Sequence, residues 1–348
     1  MKTSHSVLYG DAKRWLDEIP SLSVDLVVTS PPYPMIEMWD VTFSRHSESI
    51  GECIRRHDGE RAYELMHEEL DPVWREVYRL LRPGGIACIN IGDATRKIGD
   101  SFRVFPNHAR ILTSCLGLGF EALPEILWRK ESNKPTKFMG SGMLPGAAYV
   151  TQEHEYILIL RKRGKRSWSS PNQRLERQRS AFFWEERNLW FRDIWEDLQG
   201  DRQRLELKNT RDRSAAFPFE LPYRLISMFS AQNDLVLDPF LGTGTTMLAA
   251  MATGRSSLGV ELDSHFGELL EERLKDVVAT SNSFNERRVS NHREFIEKMR
   301  KDGRELKHLN QHYRLPVMTA QETQMLIPLL TRVETKGNDL FEVHYRRN

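Results

Sequence analysis

The fold is decided by the stretch Asp234-Leu-Val-Leu-Asp238-Pro-Phe240-Leu-Gly242-Thr-Gly244-Thr-Thr246. It begins as an apolar strand, continues as a glycine-rich turn and leads into an apolar helix that starts near Thr245. The backbone N–H groups at such a helix N-terminus, together with the helix dipole, favour a carboxylate or a phosphate. No lysine follows Gly244, and a third correctly spaced glycine is missing. The turn therefore predicts a ligand site that is neither a phosphate-binding loop nor a standard dinucleotide fingerprint.

Short apolar runs alternate with helical patterns on both sides of this stretch. Strands are predicted at residues 6–10, 24–29, 86–91, 122–128, 155–160, 234–237 and 257–260. Helices are predicted at residues 12–19, 71–81, 222–230 and 245–252. Strands that alternate with helices indicate an α/β fold with a mostly parallel sheet and helices on both faces. In such a sheet, ligands bind at the edge where the strands end.

Composition limits the class of protein. Of the 348 residues, 39% are hydrophobic and 28% are charged, which is typical of a soluble globular protein. The length allows about two domains, or one large catalytic domain that carries insertions. The formal charge of +1 excludes a uniformly basic nucleic-acid coat but permits a local basic patch. Three separated cysteines and the lack of an apolar run of about 18 residues predict a reducing, cytoplasmic location. The histidines lack paired ligand spacing, so no metal site is expected.

A second motif, Ser30-Pro31-Pro32-Tyr33, follows the predicted strand at residues 24–29. The two prolines fix the backbone and remove two N–H donors, which leaves carbonyl groups that only accept hydrogen bonds. Ser30 and the carbonyl of Pro31 can each accept from an exocyclic amino group, while Tyr33 offers a face for a planar base. The motif therefore predicts binding of an amino group on an aromatic ring.

Acidic residues follow two other predicted strands. Glu261 comes directly after residues 257–260, where a carboxylate can accept from ribose hydroxyls. Asp11 follows the first strand, where it can accept from an adenine amino group or cap the next helix. The spacing leaves both roles of Asp11 open.

The two motifs together resemble those of the amino-group DNA methyltransferases that use S-adenosylmethionine. The matching residues are Ser30-Pro-Pro-Tyr33 and Asp238-Pro-Phe-Leu-Gly242-Thr-Gly244, and the amino-binding motif comes first in the chain. That order resembles the circularly permuted beta group, with the recognition region between the motifs. The resemblance covers residues 5–160 and 214–278. It implies a Rossmann-like, largely parallel seven-stranded sheet with an inserted recognition module.

The resemblance also implies a role for each motif residue. The catalytic residues would be Ser30, Pro31, Pro32 and Tyr33. S-adenosylmethionine would contact Asp11, Phe217, Pro218, Asp238, Pro239, Phe240, Gly242, Gly244, Thr245 and Glu261. Leu81-Arg-Pro-Gly-Gly85 resembles the next sheet unit of the family, and Leu127-Trp-Arg-Lys130, followed by Asn133, resembles a DNA-facing segment.

The chemistry expected of such a site is direct methyl transfer to nitrogen. An aromatic amino group is a weak nucleophile, so the site must localise its lone pair and align it with the methyl group. A carbon-5 cytosine methyltransferase needs a cysteine nucleophile, typically after a proline, and Cys53, Cys88 and Cys115 do not follow one. The serine at the first position of the motif is similar to that of the cytosine-N4 enzymes. Its hydroxyl can also donate a hydrogen bond to cytosine N3. Adenine-N6 is the alternative target, and either base must be flipped out of duplex DNA.

Three segments interrupt the alternating pattern. Residues 161–213 contain 15 Lys and Arg against 9 Asp and Glu, and they predict a target-recognition module, with a solvated surface over a local core as the alternative. The predicted phosphate contacts are Lys130, Arg161, Arg163, Lys165, Arg166 and Arg174. Residues 34–67 predict a long polar loop that closes over the cofactor. Residues 279–348 predict a C-terminal extension that completes DNA recognition, mediates self-association or braces the sheet.

The predicted organisation has four parts: a first catalytic part at 1–160, the recognition module at 161–213, a second catalytic part at 214–278 and the extension at 279–348. Two more distant functions stay open, an RNA or protein-glutamine methyltransferase and a catalytically silent DNA-binding protein. The partner expected of the favoured function is double-stranded DNA. The sequence leaves open whether the chain forms a homodimer and whether a cognate restriction endonuclease acts on the same site.

Overall fold

The structure is a computed structural model that describes residues 1–130, 139–198, 217–337 and 339–346. Its α-helices are α1 (Ala12–Asp17), α2 (Asp40–His46), α3 (Glu48–Arg55), α4 (Gly59–Leu80), α5 (Asn107–Leu118), α6 (Pro171–Arg179), α7 (Trp184–Trp190), α8 (Glu220–Phe229), α9 (Thr245–Thr253) and α10 (Phe266–Lys301). Short 3-10 helices span Glu37–Trp39 and Ala320–Glu322. Its strands are β1 (Lys2–Tyr9), β2 (Val24–Thr29), β3 (Leu81–Ile91), β4 (Ala94–Ile98), β5 (Ser101–Phe105), β6 (Phe120–Arg129), β7 (Met139–Gly140), β8 (Ala148–Tyr149), β9 (His154–Lys162), β10 (Ile194–Trp195), β11 (Leu235–Asp238), β12 (Ser256–Glu261), β13 (His308–Leu309), β14 (Pro316–Val317), β15 (Leu330–Thr335) and β16 (Leu340–Tyr345).

One ten-stranded sheet organises the molecule, in the order β10-β6-β9-β3-β2-β11-β12-β1-β16-β15. The seven strands from β6 to β1 are those predicted from the sequence, and they confirm the α/β, Rossmann-like fold. All of them run parallel except β9, which is antiparallel to both β3 and β6. The number of strands is corrected from seven to ten, because β10, β15 and β16 extend the two edges.

The central strands are apolar because helices cover both faces of the sheet. Strand β2 is buried at every position, so it presents apolar groups to both sides. Val27 packs in the cluster that contains Trp74 of α4. Leu26, one residue earlier, packs in the cluster on the opposite face, with Leu225 of α8. This double-sided packing fixes the end of β2, from which the motif beginning at Ser30 emerges.

Residues 34–67 form helices rather than the predicted polar loop. The first 3-10 helix, α2 and α3 lead directly into α4, which begins at Gly59 instead of residue 71. Phe43 and Ile50 are buried in the same apolar cluster as α4. The polar residues of the segment lie mainly on its outer faces, and this distribution gives the sequence its loop-like composition.

The predicted recognition module shares the sheet and the core with the catalytic part. Strand β10 pairs with β6, and Trp195 within it is fully buried. Phe183 stacks on His292 of α10, with the two ring centroids 3.9 Å apart. Residues 199–213 of the predicted module lie outside the described residues. So does Asn133 of the predicted DNA-facing segment.

The C-terminal part braces the edge of the sheet. Strand β16 pairs antiparallel with β1, and β15 completes a hairpin with it. Helix α10 crosses the predicted boundary at residue 278, and it is not fully solvated, because Arg288 within it is buried against Glu186 and Tyr223. Although α10 has 36 residues, neither it nor any other helix in the described parts is apolar enough to span a membrane.

Candidate active site

A cleft opens at the carboxyl edge of the sheet, where β1, β2, β11 and β12 end. The predicted site residues that line it are Asp11, Ser30, Pro31, Pro32, Phe217, Asp238, Pro239, Phe240, Gly242, Thr245 and Glu261. Of the predicted set, Tyr33, Pro218 and Gly244 are not among the described lining residues. Four strands that are distant in sequence thus bring the two motifs and both acids to one place.

Asp238, the last residue of β11, shapes the turn from within. Its Oδ1 accepts from Thr29 Oγ1 at 2.6 Å and from the N–H of Phe240 at 3.0 Å, and its Oδ2 accepts from Thr246 Oγ1 at 2.6 Å. Burial raises the pKa of Asp238 to about 6, although the hydrogen bonds from Thr246 and Thr29 act in the opposite direction. The carboxyl group thereby joins the end of β2, the turn and the start of α9.

Glu261 reaches back across the same turn. Its Oε2 accepts from the N–H of Gly242 at 2.7 Å, and its Oε1 accepts from the N–H of Asp263 at 2.9 Å. Burial is the main cause of a raised pKa of Glu261. Gly242 has a φ of +55°, and a Cβ at this position would meet open space. The turn therefore leaves room for a ligand directly against the backbone.

Gly244 and Pro218 support the cleft from behind. Gly244 has a φ of +80°, and a Cβ there would lie 2.5 Å from Cδ1 of Leu270 in α10. Pro218 directs its carbonyl to the N–H of Leu221 in α8 at 3.0 Å. Gly244 thus lies against α10 and Pro218 against the start of α8, and the predicted contacts of both residues with S-adenosylmethionine stay predictions.

Asp11 caps α1, because its Oδ1 accepts from the N–H of Lys13 at 2.9 Å. Its Oδ2 lies 3.8 Å from Nζ of Lys13 and 3.9 Å from Nδ1 of His46. The side chain also lines the cleft, so the cap does not prevent contact with a ligand. Of the two roles that the sequence leaves open, the cap is seen and the adenine contact stays a prediction.

A further wall of the cleft comes from the segment 34–67, which was predicted to be a loop and whose individual residues the sequence did not assign to the site. Trp39, Phe43 and His46 line it, together with Leu70 of α4. Positions 39, 43, 46 and 50 recur at helical spacing, which is the signal that could have identified this wall. The segment predicted to close over the cofactor is a packed wall in this structure.

Tyr33 connects the amino-binding motif to a buried hydrogen-bond network. Its Oη accepts from Ser30 Oγ at 3.1 Å and from Asn90 Nδ2 at 2.8 Å, and it donates to Glu155 Oε2 at 2.9 Å. Burial, and then the charge of Glu155, raise the pKa of Tyr33 well above its usual range. The phenol therefore keeps its proton at neutral pH.

Glu155 lies at the centre of this network. It also accepts from Asn90 Nδ2 at 2.7 Å and from Lys130 Nζ at 2.8 Å. Because β9 is antiparallel to β3, the first residues of β9 lie at the edge where the parallel strands end. Sequence reasoning missed both Asn90 and Glu155, and a polar residue inside the apolar run 86–91 was the available signal.

Among the predicted phosphate contacts, only Lys130 lies at this edge of the sheet. The basic run 161–166 starts at the carboxyl end of β9, which lies at the opposite, amino edge. There Arg161 pairs with Glu121 at 2.7 Å. Arg166 forms two hydrogen bonds of 2.5 Å with Asp234.

The remaining basic residues lie on the same side. Arg163 and Lys165 are exposed within the basic run. Arg174 of α6 donates to the carbonyl of Ser169 at 2.6 Å. These residues and the two ion-paired arginines thus lie about 20 Å from the cleft along a six-residue strand, and their predicted contacts with DNA phosphates stay a prediction.

The chain is similar to known DNA methylases. A family model described as DNA methylase matches residues 24–272. The Type II methyltransferase M.MthZI of Methanothermobacter thermautotrophicus is 51% identical over 347 residues, which cover 99% of this chain and 96% of that protein. The Type II methyltransferase M.MjaI of Methanocaldococcus jannaschii is 52% identical over 283 residues, which cover 78% of this chain and 91% of that protein.

A solved structure has a similar fold. The protein TTHA0409 of Thermus thermophilus, determined in complex with S-adenosyl-L-methionine, superposes with a TM-score of 0.61 at 38% sequence identity. The match covers 77% of this chain and 94% of that protein, so nearly all of the smaller chain has a counterpart here.

Proposed function

The chain belongs to the N6/N4 DNA methylase family, and from this membership we propose that it is a site-specific DNA methyltransferase acting on the N4 amino group of cytosine. Its methyl donor is S-adenosylmethionine, and its substrate is double-stranded DNA from which the target base is flipped into the cleft. Adenine-N6 transfer by the same site is the alternative. The methylated nucleoside that forms distinguishes the two.

The residues of the cleft fit S-adenosylmethionine, which supplies a methyl group activated by a sulfonium. Glu261 is held by two backbone N–H groups and keeps lone pairs for ribose hydroxyls. Asp11 offers an acceptor for the adenine amino group. The open space at Gly242, beside Phe240, admits the donor close to the backbone. The two carboxylates also complement the positive charge of the sulfonium.

The observation that carries the proposal is the row of acceptors at the end of β2. Pro31 and Pro32 have no N–H, and Ser30 lines the cleft while donating its hydroxyl proton to Tyr33. Ser30 therefore meets an amino group as an acceptor. Accepting one amino proton turns the nitrogen lone pair away from the ring and towards the methyl group. The hydrogen bond from Ser30 to Tyr33 uses the hydroxyl proton that the sequence analysis offered to cytosine N3. We therefore do not propose a hydrogen bond from Ser30 to cytosine N3.

The site supports attack by the amino nitrogen itself, without a covalent enzyme intermediate. The nitrogen–methyl bond would form as the sulfur–methyl bond of the donor breaks, the sulfur would leave as a neutral thioether, and the methylated amino group would lose one proton to water. None of the described lining residues is a cysteine. Cys88 in β3 and Cys115 in α5 are buried, and burial raises the pKa of both thiols. A buried thiol of raised pKa is a poor nucleophile, so the acceptor row is the catalytic element.

The serine at the head of the motif supports cytosine as the target. A neutral hydroxyl in this place resembles the cytosine-N4 enzymes, whereas the adenine-N6 enzymes mostly carry an Asp or Asn. The carboxylate of this network belongs to Glu155, which reaches Ser30 only through the hydroxyl of Tyr33. The base itself is therefore met by a neutral side chain.

DNA approaches the carboxyl edge in this proposal. Two hairpins stand there, β4–β5 and β7–β8, and Phe102 stacks on Tyr149 between them with ring centroids 4.7 Å apart. Met143 and Leu144 at the tip of the second hairpin are 87% and 70% exposed. Apolar side chains of this kind fill the space that a flipped base leaves in the duplex.

The experiment that tests the reaction is methylation of unmodified genomic DNA with S-adenosylmethionine, followed by mass spectrometry of the digested nucleosides. We expect 4-methylcytosine from the wild type and none from Ser30→Ala. Formation of 6-methyladenine would overturn the choice of base but keep the reaction. No methylated base, with the donor bound, would overturn the proposed activity.

The DNA face is tested with the double substitution Met143→Ser and Leu144→Ser. We expect weaker binding to a cognate duplex, because the tip loses the apolar groups that replace the flipped base. Leu309→Ser, in the β13–β14 hairpin, is the matched control, since Leu309 is 48% exposed. Equal DNA affinity of all three proteins would refute the placement of the DNA.

A further inference from the structure

We propose that Glu155 is a positioning residue that acts through Tyr33 and makes Ser30 a hydrogen-bond acceptor towards the target amino group. The inference rests on the proposed function and adds to it a residue outside both sequence motifs. It depends on how many protons and lone pairs each member of the network possesses.

Topology brings Glu155 to the motif. Strand β9 runs against its neighbours, so its second residue lies at the carboxyl edge, next to the end of β3. Only 9% of Glu155 is exposed, and Gly92 at the end of β3 lets Tyr33 and Glu155 approach, because a Cβ at Gly92 would lie 3.0 Å from the Tyr33 ring. The carboxylate is therefore held beside the motif by the sheet itself.

Glu155 accepts hydrogen bonds from three donors. An ionised carboxylate has no proton to give. Here its oxygens accept from Tyr33 Oη at 2.9 Å, Asn90 Nδ2 at 2.7 Å and Lys130 Nζ at 2.8 Å. The ammonium of Lys130 balances the buried negative charge, which is the condition for such a charge to be retained.

Because Glu155 can only accept, it fixes the direction of the hydrogen bonds at Tyr33 and Ser30. Tyr33 has one hydroxyl proton, which Glu155 takes, and its two lone pairs then receive Asn90 Nδ2 at 2.8 Å and Ser30 Oγ at 3.1 Å. Ser30 also has one hydroxyl proton, which it donates to Tyr33. Only lone pairs of Ser30 are left to face the cleft.

Asn90 favours the same direction of hydrogen bonding, from Ser30 to Tyr33 and from Tyr33 to Glu155. Its Nδ2 serves both Tyr33 and Glu155, so the amide cannot turn over without directing its oxygen at the carboxylate. Its Oδ1 has no partner among the described residues. The Asn90 side chain is therefore held with its NH₂ group towards Glu155 and Tyr33.

Without the carboxylate of Glu155, the hydrogen bonds that join Ser30, Tyr33 and residue 155 could exchange donor and acceptor. A glutamine at position 155 can direct its oxygen at Lys130 and its NH₂ at Tyr33. Tyr33 would then donate to Ser30, whose own proton would point at the amino group of the base. A donor in that place opposes an N–H group and no longer draws out the nitrogen lone pair.

The test compares Glu155→Gln with the control Glu153→Gln, which changes a half-buried glutamate two residues earlier whose side chain is 40% exposed. We expect Glu155→Gln to lower kcat about 10- to 100-fold, with unchanged affinity for S-adenosylmethionine and DNA. Glu153→Gln should match the wild type. Full kcat in Glu155→Gln would overturn the inference.

A double-mutant cycle with Tyr33→Phe tests whether Glu155 acts through the tyrosine hydroxyl. We expect the double variant to have the same kcat as the slower single variant, because either change alone breaks the chain. Losses that multiply would overturn the inference in favour of independent structural roles. Should Glu155→Gln not fold, Tyr33→Phe alone must lower kcat, since the ring is kept and only the hydroxyl is lost.

The inference and the proposed function fail in different ways. If the wild type forms 6-methyladenine, the base assignment falls, but the ratio of kcat values still tests Glu155, since both amino groups need an acceptor. If the wild type forms 4-methylcytosine and Glu155→Gln is fully active, only the inference falls. A wild type that methylates no base would overturn both.

Discussion

Replacement of Arg166 by methionine removes a guanidinium from between two buried carboxylates at the amino edge of the sheet. Arg166 makes two hydrogen bonds of 2.5 Å to Asp234, and its Nη2 lies 3.7 Å from Asp25 Oδ1. The two carboxylate side chains are only 4% and 8% exposed. Methionine keeps most of the apolar stem but leaves these charges facing each other.

The magnitude follows from this geometry. Removal of one partner of a buried ion pair destabilises a protein by about 3–5 kcal/mol. Two features reduce the value here: the Arg166 side chain is 29% exposed, and Arg82 still pairs with Asp25 at 2.8 Å. We therefore expect Arg166→Met to lower the free energy of unfolding by about 2–3 kcal/mol.

Two assays on the same protein separate a structural from a DNA-binding role. Urea unfolding gives the stability, and DNA affinity across salt concentrations gives the number of phosphate contacts. The matched control is Arg163→Met, an exposed arginine of the same basic run, for which we expect a change within about 0.5 kcal/mol. Normal stability together with weaker, less salt-dependent DNA binding of Arg166→Met would refute the reasoning and restore the phosphate contact that the basic run suggests.

Further predictions concern the turn after β11. Burial raises the pKa of Asp238 from 3.8 to about 6, so the protonated carboxyl contributes stability that is present below the unfolded pKa and lost as the pH rises through about 6. Relative to the wild type, Asp238→Asn should therefore gain about 2–3 kcal/mol of unfolding free energy between about pH 4 and pH 8, and parallel stability curves would contradict this. Gly244→Ala should lower stability by about 1–3 kcal/mol, because its Cβ would lie 2.5 Å from Leu270, as measured by thermal unfolding. Gly242→Ala should mainly weaken binding of S-adenosylmethionine, measured by calorimetry, since its methyl group enters the cleft; the opposite pattern would show that the two glycines have been assigned the wrong roles.

Local signals in the sequence predict the central sheet and both motifs. Strand β2 has the predicted bounds, and β11 is shifted by one residue. Apolar runs and turn residues are properties of neighbouring positions, so they are readable without tertiary structure. The carboxyl-edge rule then places Ser30, Asp238 and Glu261 in one cleft.

The segment of the first 3-10 helix, α2 and α3 shows how polar composition obscures helices. Trp39, Phe43 and Ile50 occur at helical spacing, but the residues between them are mostly polar. Because only one narrow face is buried, average composition resembles that of a loop, and the periodic signal is the informative one.

The direction of β9 could not be predicted, and it decides which of its residues lie beside the motif at Ser30. Neither apolar content nor turn residues differ between a parallel and an antiparallel central strand, since direction depends on distant partners. Residues 155 and 161 are about 20 Å apart along the strand, so reversing it would exchange the two edges that they occupy. A parallel β9 would have put Arg161 at the carboxyl edge and moved Glu155 to the amino edge, where Tyr33 could not donate to it. Antiparallel pairing instead gives the motif a buried acceptor and leaves the basic run on the far side, so the role proposed for Glu155 depends on sheet topology.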